Sequence, residues 1–173
     1  MMQKLVLPAI ALLHFYLESY FALYLSAEQI GYEWTLVPRF LLLFLLFMSA
    51  YYKLETAFVY AFIFGALYDI VYTEIIGVYL VLFPMSIWIA SKLMRWLQHH
   101  IVLLVLIALV AVSCLEWVLY GFQLLVNNTE IGVQTFVLER FVPSILLQLV
   151  WLVVFAFFYS KLLQKQRTIV LDA

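Results

Sequence analysis

The sequence predicts an all-α membrane protein in which residues 1–173 form one compact bundle of six transmembrane helices. Of the 173 residues, 68% are hydrophobic and 11% are charged, and the mean hydropathy is +1.11. Soluble domains contain roughly 45–50% apolar and about 25% charged residues. With so few charges, a surface in water would expose large apolar patches. Lipid is therefore the solvent that fits this composition.

Six apolar segments account for most of the chain. A spanning helix needs about 20 apolar residues, so six leave no room for a separate soluble catalytic module. The net charge of −1 provides no electrostatic surface for nucleic acid. Pro38 is predicted in the first turn of the second helix, where its missing N–H costs nothing. The predicted spans are approximately 5–25, 36–52, 56–73, 75–92, 101–121 and 139–162.

The boundary between the third and fourth spans is the least marked. Few polar or helix-breaking residues interrupt the stretch 56–92, which is too long for one span and just long enough for two. We predict a turn at residues 72–74. A single kinked span followed by a re-entrant segment is the alternative.

The basic residues indicate the orientation, because cytoplasmic loops retain lysine and arginine. With six spans, seven basic residues fall at one end of the bundle and two at the other. The seven are Lys4, Lys53, Lys92, Arg95, Lys161, Lys165 and Arg167, and the two are Arg39 and Arg140. Eight acids sort towards the opposite, outer end, namely Glu18, Glu28, Glu33, Asp69, Glu74, Glu116, Glu130 and Glu139. Both termini are therefore predicted to be cytoplasmic.

Charged side chains within the apolar depth are costly and usually have partners. The candidates for an intramembrane polar network or cavity are Glu18, Arg39, Asp69, Glu116, Glu139 and Arg140. The natural pairing joins Glu18 to Arg39. Likewise, Glu116 would pair with Arg140; swapped pairs and competition from Glu139 are the alternatives. Such pairs either fix the helix register or line an outward-facing cavity or partner contact. A proton relay would need acids across the inner half, where the sequence has none.

A stripe of small residues runs along the third span. Ala57, Ala61 and Gly65 recur every four residues and lead to Asp69. Small residues at this spacing let helix backbones approach closely in membranes. The stripe is therefore predicted to be either an internal packing face or a docking face for the helix of a partner protein.

Three short motifs resemble a known family. They are Leu-Val-Pro-Arg-Phe at 36–40, Gly-Ala-Leu-Tyr-Asp at 65–69 followed by Gly-Val-Tyr at 77–79, and Phe-Val-Leu-Glu-Arg-Phe-Val-Pro at 136–143. These motifs resemble those of the MreD family of bacterial rod shape-determining proteins in their order, in their spacing and in their position within six short spans. The Bacillus-type branch is the most similar, and the resemblance covers roughly residues 4–164.

The resemblance implies a non-enzymatic component of the bacterial inner membrane that works in peptidoglycan synthesis during cell elongation. It implies binding to the single-span protein MreC, in a complex with RodA, its transpeptidase partner and MreB. A homodimer is a further possibility. The implied fold is similar to that of the substrate-binding subunits of energy-coupling factor vitamin transporters, with an outward-facing cavity. No cofactor, metal or catalytic residue is expected.

A vitamin-transporter subunit and a lipid flippase are the two alternative functions. A vitamin-transporter subunit would dock on its coupling partner through an alanine-xxx-alanine motif in the first span. Here Ala9, Ala11 and Ala22 are not four residues apart. A lipid or precursor flippase would need polar groups along both halves of its pathway, and in this sequence they stop halfway.

Overall fold

The structure, a computed structural model, describes residues 5–24, 34–73, 75–96, 100–126 and 131–171. Across these ranges the chain forms helices and no strands, which confirms the all-α class. The six principal helices are α1 (Val6–Tyr24), α2 (Phe40–Tyr51), α3 (Leu54–Tyr68), α4 (Val78–Trp96), α5 (Ile101–Leu125) and α6 (Val142–Leu171). α3 continues as a π-helical segment, Asp69–Thr73, and another, Phe136–Phe141, leads into α6 after the short helix Val133–Thr135.

Four of the helical segments are long and apolar enough to cross a membrane. They are Leu54–Thr73, Val78–Arg95, Ile101–Leu125 and Val133–Ile169. Two shorter apolar helices, Val6–Phe21 and Phe40–Tyr51, accompany them. The chain is therefore a multi-pass membrane protein.

α2 is an interior helix, and it is shorter than the predicted span 36–52. Its 12 residues rise about 18 Å, well short of the roughly 30 Å hydrocarbon core. Every residue from Phe40 to Met48 has no exposed surface, because the other helices surround it. Pro38 lies in the non-helical chain before the helix, not in its first turn. Hydropathy cannot separate these cases, since a helix that is apolar all round fits either a core or a membrane.

Two helices, not one kinked span, occupy the stretch 56–92. The helical run that begins at Leu54 ends at Thr73, and α4 begins at Val78. Gly77 has φ +119°, a conformation that glycine adopts without a steric penalty. The chain therefore reverses a few residues later than the predicted turn at 72–74.

α6 is longer than its predicted range of 139–162, since the helix continues to Leu171. The basic residues after Lys161 extend the helix where it leaves the apolar depth. α4 and α5 likewise end about one turn beyond their predicted limits.

The bundle has two chemically different ends. The network end contains Glu18, Arg39, Glu116 and Arg140, which meet where α1 ends and α2 begins. The basic end contains the α2–α3 turn and the last turns of α4 and α6, with Lys53, Lys92, Arg95, Lys161, Lys165 and Arg167. Of the other residues of the charge prediction, Asp69 and Glu139 lie within the described ranges, whereas Lys4, Glu28, Glu33, Glu74 and Glu130 lie outside them.

Candidate functional site

The network end is built around the non-helical segment 34–39, which enters the bundle before α2. Non-helical backbone at membrane depth must find hydrogen-bond partners inside the protein. The N–H of Thr35 donates to the carbonyl of Glu139 at 2.7 Å. Ser144 Oγ accepts from the N–H of Val37 at 2.9 Å and donates to the carbonyl of Thr35 at 3.3 Å. Gln148 Nε2 donates to the carbonyl of Val37 at 3.3 Å. The start of α6 thus fixes this segment.

Glu116 is the centre of the ion-pair network. Arg39 Nε donates to Glu116 Oε1 at 2.7 Å, and Arg140 Nη2 donates to Glu116 Oε2 at 3.4 Å. The Arg39 and Glu116 side chains are 5% and 1% exposed, so this pair is desolvated. Arg39 Nη2 also donates to the hydroxyl of Tyr79 at 2.9 Å. One carboxylate on α5 therefore binds both arginines. The Glu116–Arg140 pair belongs to the first pairing that the sequence suggested, and the Glu116–Arg39 pair belongs to the swapped one.

Glu18 has a different partner from the arginine that the sequence suggested. Its Oε1 accepts a hydrogen bond of 2.6 Å from the N–H of Leu41, the second residue of α2. The first N–H groups of a helix have no partner within the helix, and the helix dipole favours negative charge there. α1 thus supplies the N-terminal cap of α2 from outside that helix.

Asp69 performs the same task for α4. Its Oδ1 accepts from the N–H of Tyr79 at 2.7 Å, and its Oδ2 accepts from Gly77 at 2.8 Å and from Leu80 at 3.0 Å. The residue is completely buried and lies in the π-helical segment that ends α3. Its carboxylate fixes the turn between α3 and α4 and does not line the cavity described below.

The small-residue stripe lies inside the bundle. Ala57, Ala61 and Gly65 are buried. A Cβ at Gly65 would lie 2.6 Å from the carbonyl oxygen of Tyr79 and 2.9 Å from the Cα of Leu80. α3 and α4 therefore touch backbone to backbone at this point. These positions pack against the chain itself and leave no space there for a partner helix.

A polar cavity of about 270 Å³ opens at the network end. Within the described ranges, Glu18 Oε2 and Arg140 Nε are buried without a hydrogen-bond partner. Glu139 adjoins the network, where its carbonyl holds Thr35. The cavity is lined by Glu18, Thr35, Leu36, Val37, Pro38, Arg39, Tyr68, Tyr72, Thr73, Tyr79, Gln123 and Arg140. Hydrogen-bond donors and acceptors are thus both present, but the described residues contain no group of three or more potential metal ligands.

Comparison with known proteins shows one family over nearly the whole chain. The family model for rod shape-determining protein MreD matches residues 3–166. The chain belongs to the MreD family. It is 36% identical to the rod shape-determining protein MreD of Bacillus subtilis (strain 168) over 170 residues, which cover 96% of this chain and 99% of that protein. It is 28% identical to the cell shape-determining protein MreD of Streptococcus pneumoniae (strain ATCC BAA-255 / R6) over 126 residues, or 73% and 77% of the two chains.

Membership of the MreD family supports a role in maintaining rod shape. The three motifs that suggested it include Arg39, Asp69 and Arg140, each of which bonds to another part of the chain. No solved structure matches the chain, so the likeness to vitamin-transporter subunits stays a prediction.

The sequence analysis missed several polar residues of this MreD-family bundle. His14 is buried in α1, where Nδ1 bonds the carbonyl of Ile10 at 2.7 Å and Nε2 bonds the hydroxyl of Tyr159. Trp151 Nε1 donates to the same hydroxyl at 2.8 Å. A lone histidine within an apolar span was the available signal, because ionisable residues at that depth require partners. Ser144 and Gln148 gave no such signal, since uncharged polar residues are common in membrane helices.

Proposed function

We propose that this chain is a non-enzymatic membrane scaffold of the cell-elongation machinery and binds MreC through its helix faces. The main support for the proposal is that the buried acidic side chains bind groups of the chain itself. Glu18 and Asp69 cap helices of the same chain, and Glu116 joins α5 to Arg39 and Arg140. These charges hold the helices in one arrangement, which leaves the apolar outer faces for recognition.

The groove between α4 and α5 is the face that best suits a single-span partner. It is mostly apolar, and four small residues, Ser86, Ala90, Ala111 and Cys114, lie along it. Small residues let a neighbouring helix approach closely, and helix association in lipid depends on such packing. MreC, as a single-span protein, would present one helix of this kind. RodA, its transpeptidase partner and MreB would join the same complex.

Disulfide cross-linking through a native cysteine can test contact at this groove. Cys114 is its one cysteine and is exposed. We expect MreC to co-purify with the chain from membranes. A cysteine placed at successive positions along the MreC span should form disulfides with Cys114 at intervals of three to four residues, as expected for a helix. Cross-linking of Cys114 to a second copy would instead indicate a homodimer through this face.

The matched control moves the cysteine to another lipid-facing helix. Cys114→Ser combined with Val150→Cys places it on α6, where Val150 is also exposed. MreC should cross-link strongly with Cys114 and weakly at 150. Equal cross-linking at both positions would exclude the groove as the specific contact, and failure of MreC to co-purify would contradict the scaffold itself.

A second candidate is a small-molecule binder of the vitamin-transporter type, which the polar cavity at the network end favours. Its unpartnered Glu18 Oε2 and Arg140 Nε could bind a ligand with both a donor and an acceptor. Mass spectrometry of the gently purified protein tests this function. A single small molecule at one per chain, lost in Arg140→Gln, would favour the binder, and none in the wild-type protein would reject it.

A further inference from the structure

A second polar cavity, of about 560 Å³, opens at the basic end. The α2–α3 turn, the end of α4 and the end of α6 build its walls. Ser49 and Ser91 line it, but their hydroxyls donate to carbonyls of their own helices. The other lining residues are Ala50, Tyr52, Lys53, Leu54, Glu55, Met94, Arg95 and Arg167. The strongest donors facing the cavity are therefore its cationic side chains.

Three cations meet at this cavity from separate parts of the fold: Lys53 from the α2–α3 turn, Arg95 from α4 and Arg167 from α6. The ion pairs found within the described ranges both involve Glu116 at the opposite end. The one carboxylate lining the cavity, Glu55, is exposed and lies beyond ion-pair distance of all three. The cavity thus carries an excess of positive charge, and a guanidinium group binds phosphate with two parallel hydrogen bonds.

The cavity lies at the depth of lipid headgroups. Arg167 follows Val142, the first residue of α6, by a length of about 38 Å at 1.5 Å per residue, which exceeds the roughly 30 Å hydrocarbon core. Leu54 and Met94 provide apolar surface at the cavity wall, which suits an acyl chain beside a phosphate.

We propose that the basic cavity binds the phosphate headgroup of an anionic phospholipid from the leaflet that this end faces. Clusters of lysine and arginine at the cytoplasmic side of membrane helices attract anionic lipids, and pockets between the helices hold their headgroups. Arg95 and Arg167 hold the phosphate from opposite walls, and Lys53 adds a third positive charge. The bound lipid would link α6 to α4 at an end where the described chain has no ion pair of its own.

Native mass spectrometry of the detergent-purified chain, titrated with phosphatidylglycerol or with phosphatidylethanolamine, tests the proposal. The wild-type protein should retain phosphatidylglycerol in preference to phosphatidylethanolamine. Arg95→Gln with Arg167→Gln should weaken phosphatidylglycerol binding at least about tenfold. The control, Lys161→Gln with Lys165→Gln, removes two charges from the same end outside this cavity and should change binding by less than about threefold.

A competition arm separates the two possible sources of phosphate. Glycerol phosphate, which carries the headgroup chemistry without acyl chains, should not displace phosphatidylglycerol at millimolar concentration. Displacement would show a site for soluble phosphate esters and would contradict the proposal that the ligand is a lipid. An equal loss of binding in the control variant would show diffuse attraction to the basic end and overturn the cavity as the site.

Discussion

Substitution of Gly65 tests the contact between α3 and α4, the closest approach of two helix backbones that the structure offers. The alanine Cβ of Gly65→Ala would lie 2.6 Å from the carbonyl oxygen of Tyr79 and 2.9 Å from the Cα of Leu80. Ordinary van der Waals contact begins near 3.4 Å, so α4 must move away by almost 1 Å. Because both obstacles are backbone atoms, no side-chain rotation relieves the clash.

The cost of that movement has two parts. Overpacking by a single methyl group in a close-packed interior costs about 1–3 kcal/mol. The same displacement lengthens the bonds from the N–H groups of Tyr79 and Leu80 to Asp69, and hydrogen bonds to a charged group contribute about 1.5–3 kcal/mol each. We therefore expect Gly65→Ala to lose at least about 1–3 kcal/mol of unfolding free energy, and Gly65→Leu to lose more.

Gly121→Ala is the matched control. Gly121 also lies in a helix, α5, but a Cβ there would meet nothing within 4 Å. Alanine is favoured over glycine inside helices by about 0.8–1.0 kcal/mol, so this variant should be as stable as the wild type or more so. The assay is reversible unfolding in detergent or bicelles, followed by helical circular dichroism. A Gly65→Ala protein as stable as Gly121→Ala would refute the backbone contact.

The other predictions concern the polar groups that hold the bundle together. Asp69→Asn removes the charge from the cap of α4 and should lower the free energy of unfolding by about 1.5–3 kcal/mol. Its control, Glu55→Gln, changes an exposed side chain and should stay within about 0.5 kcal/mol of the wild type. Similar melting of both variants in detergent would contradict the cap. Glu116→Gln leaves the buried Arg39 without its carboxylate partner and should cost about 3–5 kcal/mol. Arg39→Met should lower the free energy of unfolding less in the Glu116→Gln background than in the wild-type protein. Strictly additive losses in this double-mutant cycle would mean that Arg39 and Glu116 do not interact. Ser144→Ala leaves the N–H of Val37 without its partner, at a cost of about 1–3 kcal/mol, and hydrogen exchange of segment 34–39 should accelerate; unchanged exchange would count against this anchor.

The fold was predictable as far as hydropathy and charge could define it. The number of helices, the limits of α1 and the start of α5 followed from the length of apolar runs and the polar interruptions between them. The nature of α2 did not, because complete burial in protein and burial in lipid select the same residues. The non-helical chain that enters α2 has hydrogen bonds from its backbone to Ser144 and Gln148 of α6, and no local pattern predicts a contact over 100 residues away.

The candidate site was predictable in its residues but not in its bonds. Depth within the spans identified Glu18, Asp69 and Glu116 as groups that need partners. Charged side chains were the expected partners of these acids, although the free N–H groups at the start of a helix bind a carboxylate as well. Glu18 and Asp69 both bind such groups, and only Glu116 binds arginine. Which kind of partner an acid finds depends on where helix starts lie in space.

The central claim is that the network end faces outward and the basic end faces the cytoplasm. Single cysteines at exposed positions on each end, Val126→Cys and Glu55→Cys in a Cys114→Ser background, test it directly with a membrane-impermeant maleimide. In intact cells or spheroplasts the label should react at position 126 and should reach position 55 only after the membrane is permeabilised. Labelling of position 55 in intact cells, with position 126 protected, would invert the bundle and contradict the proposed contacts at both ends.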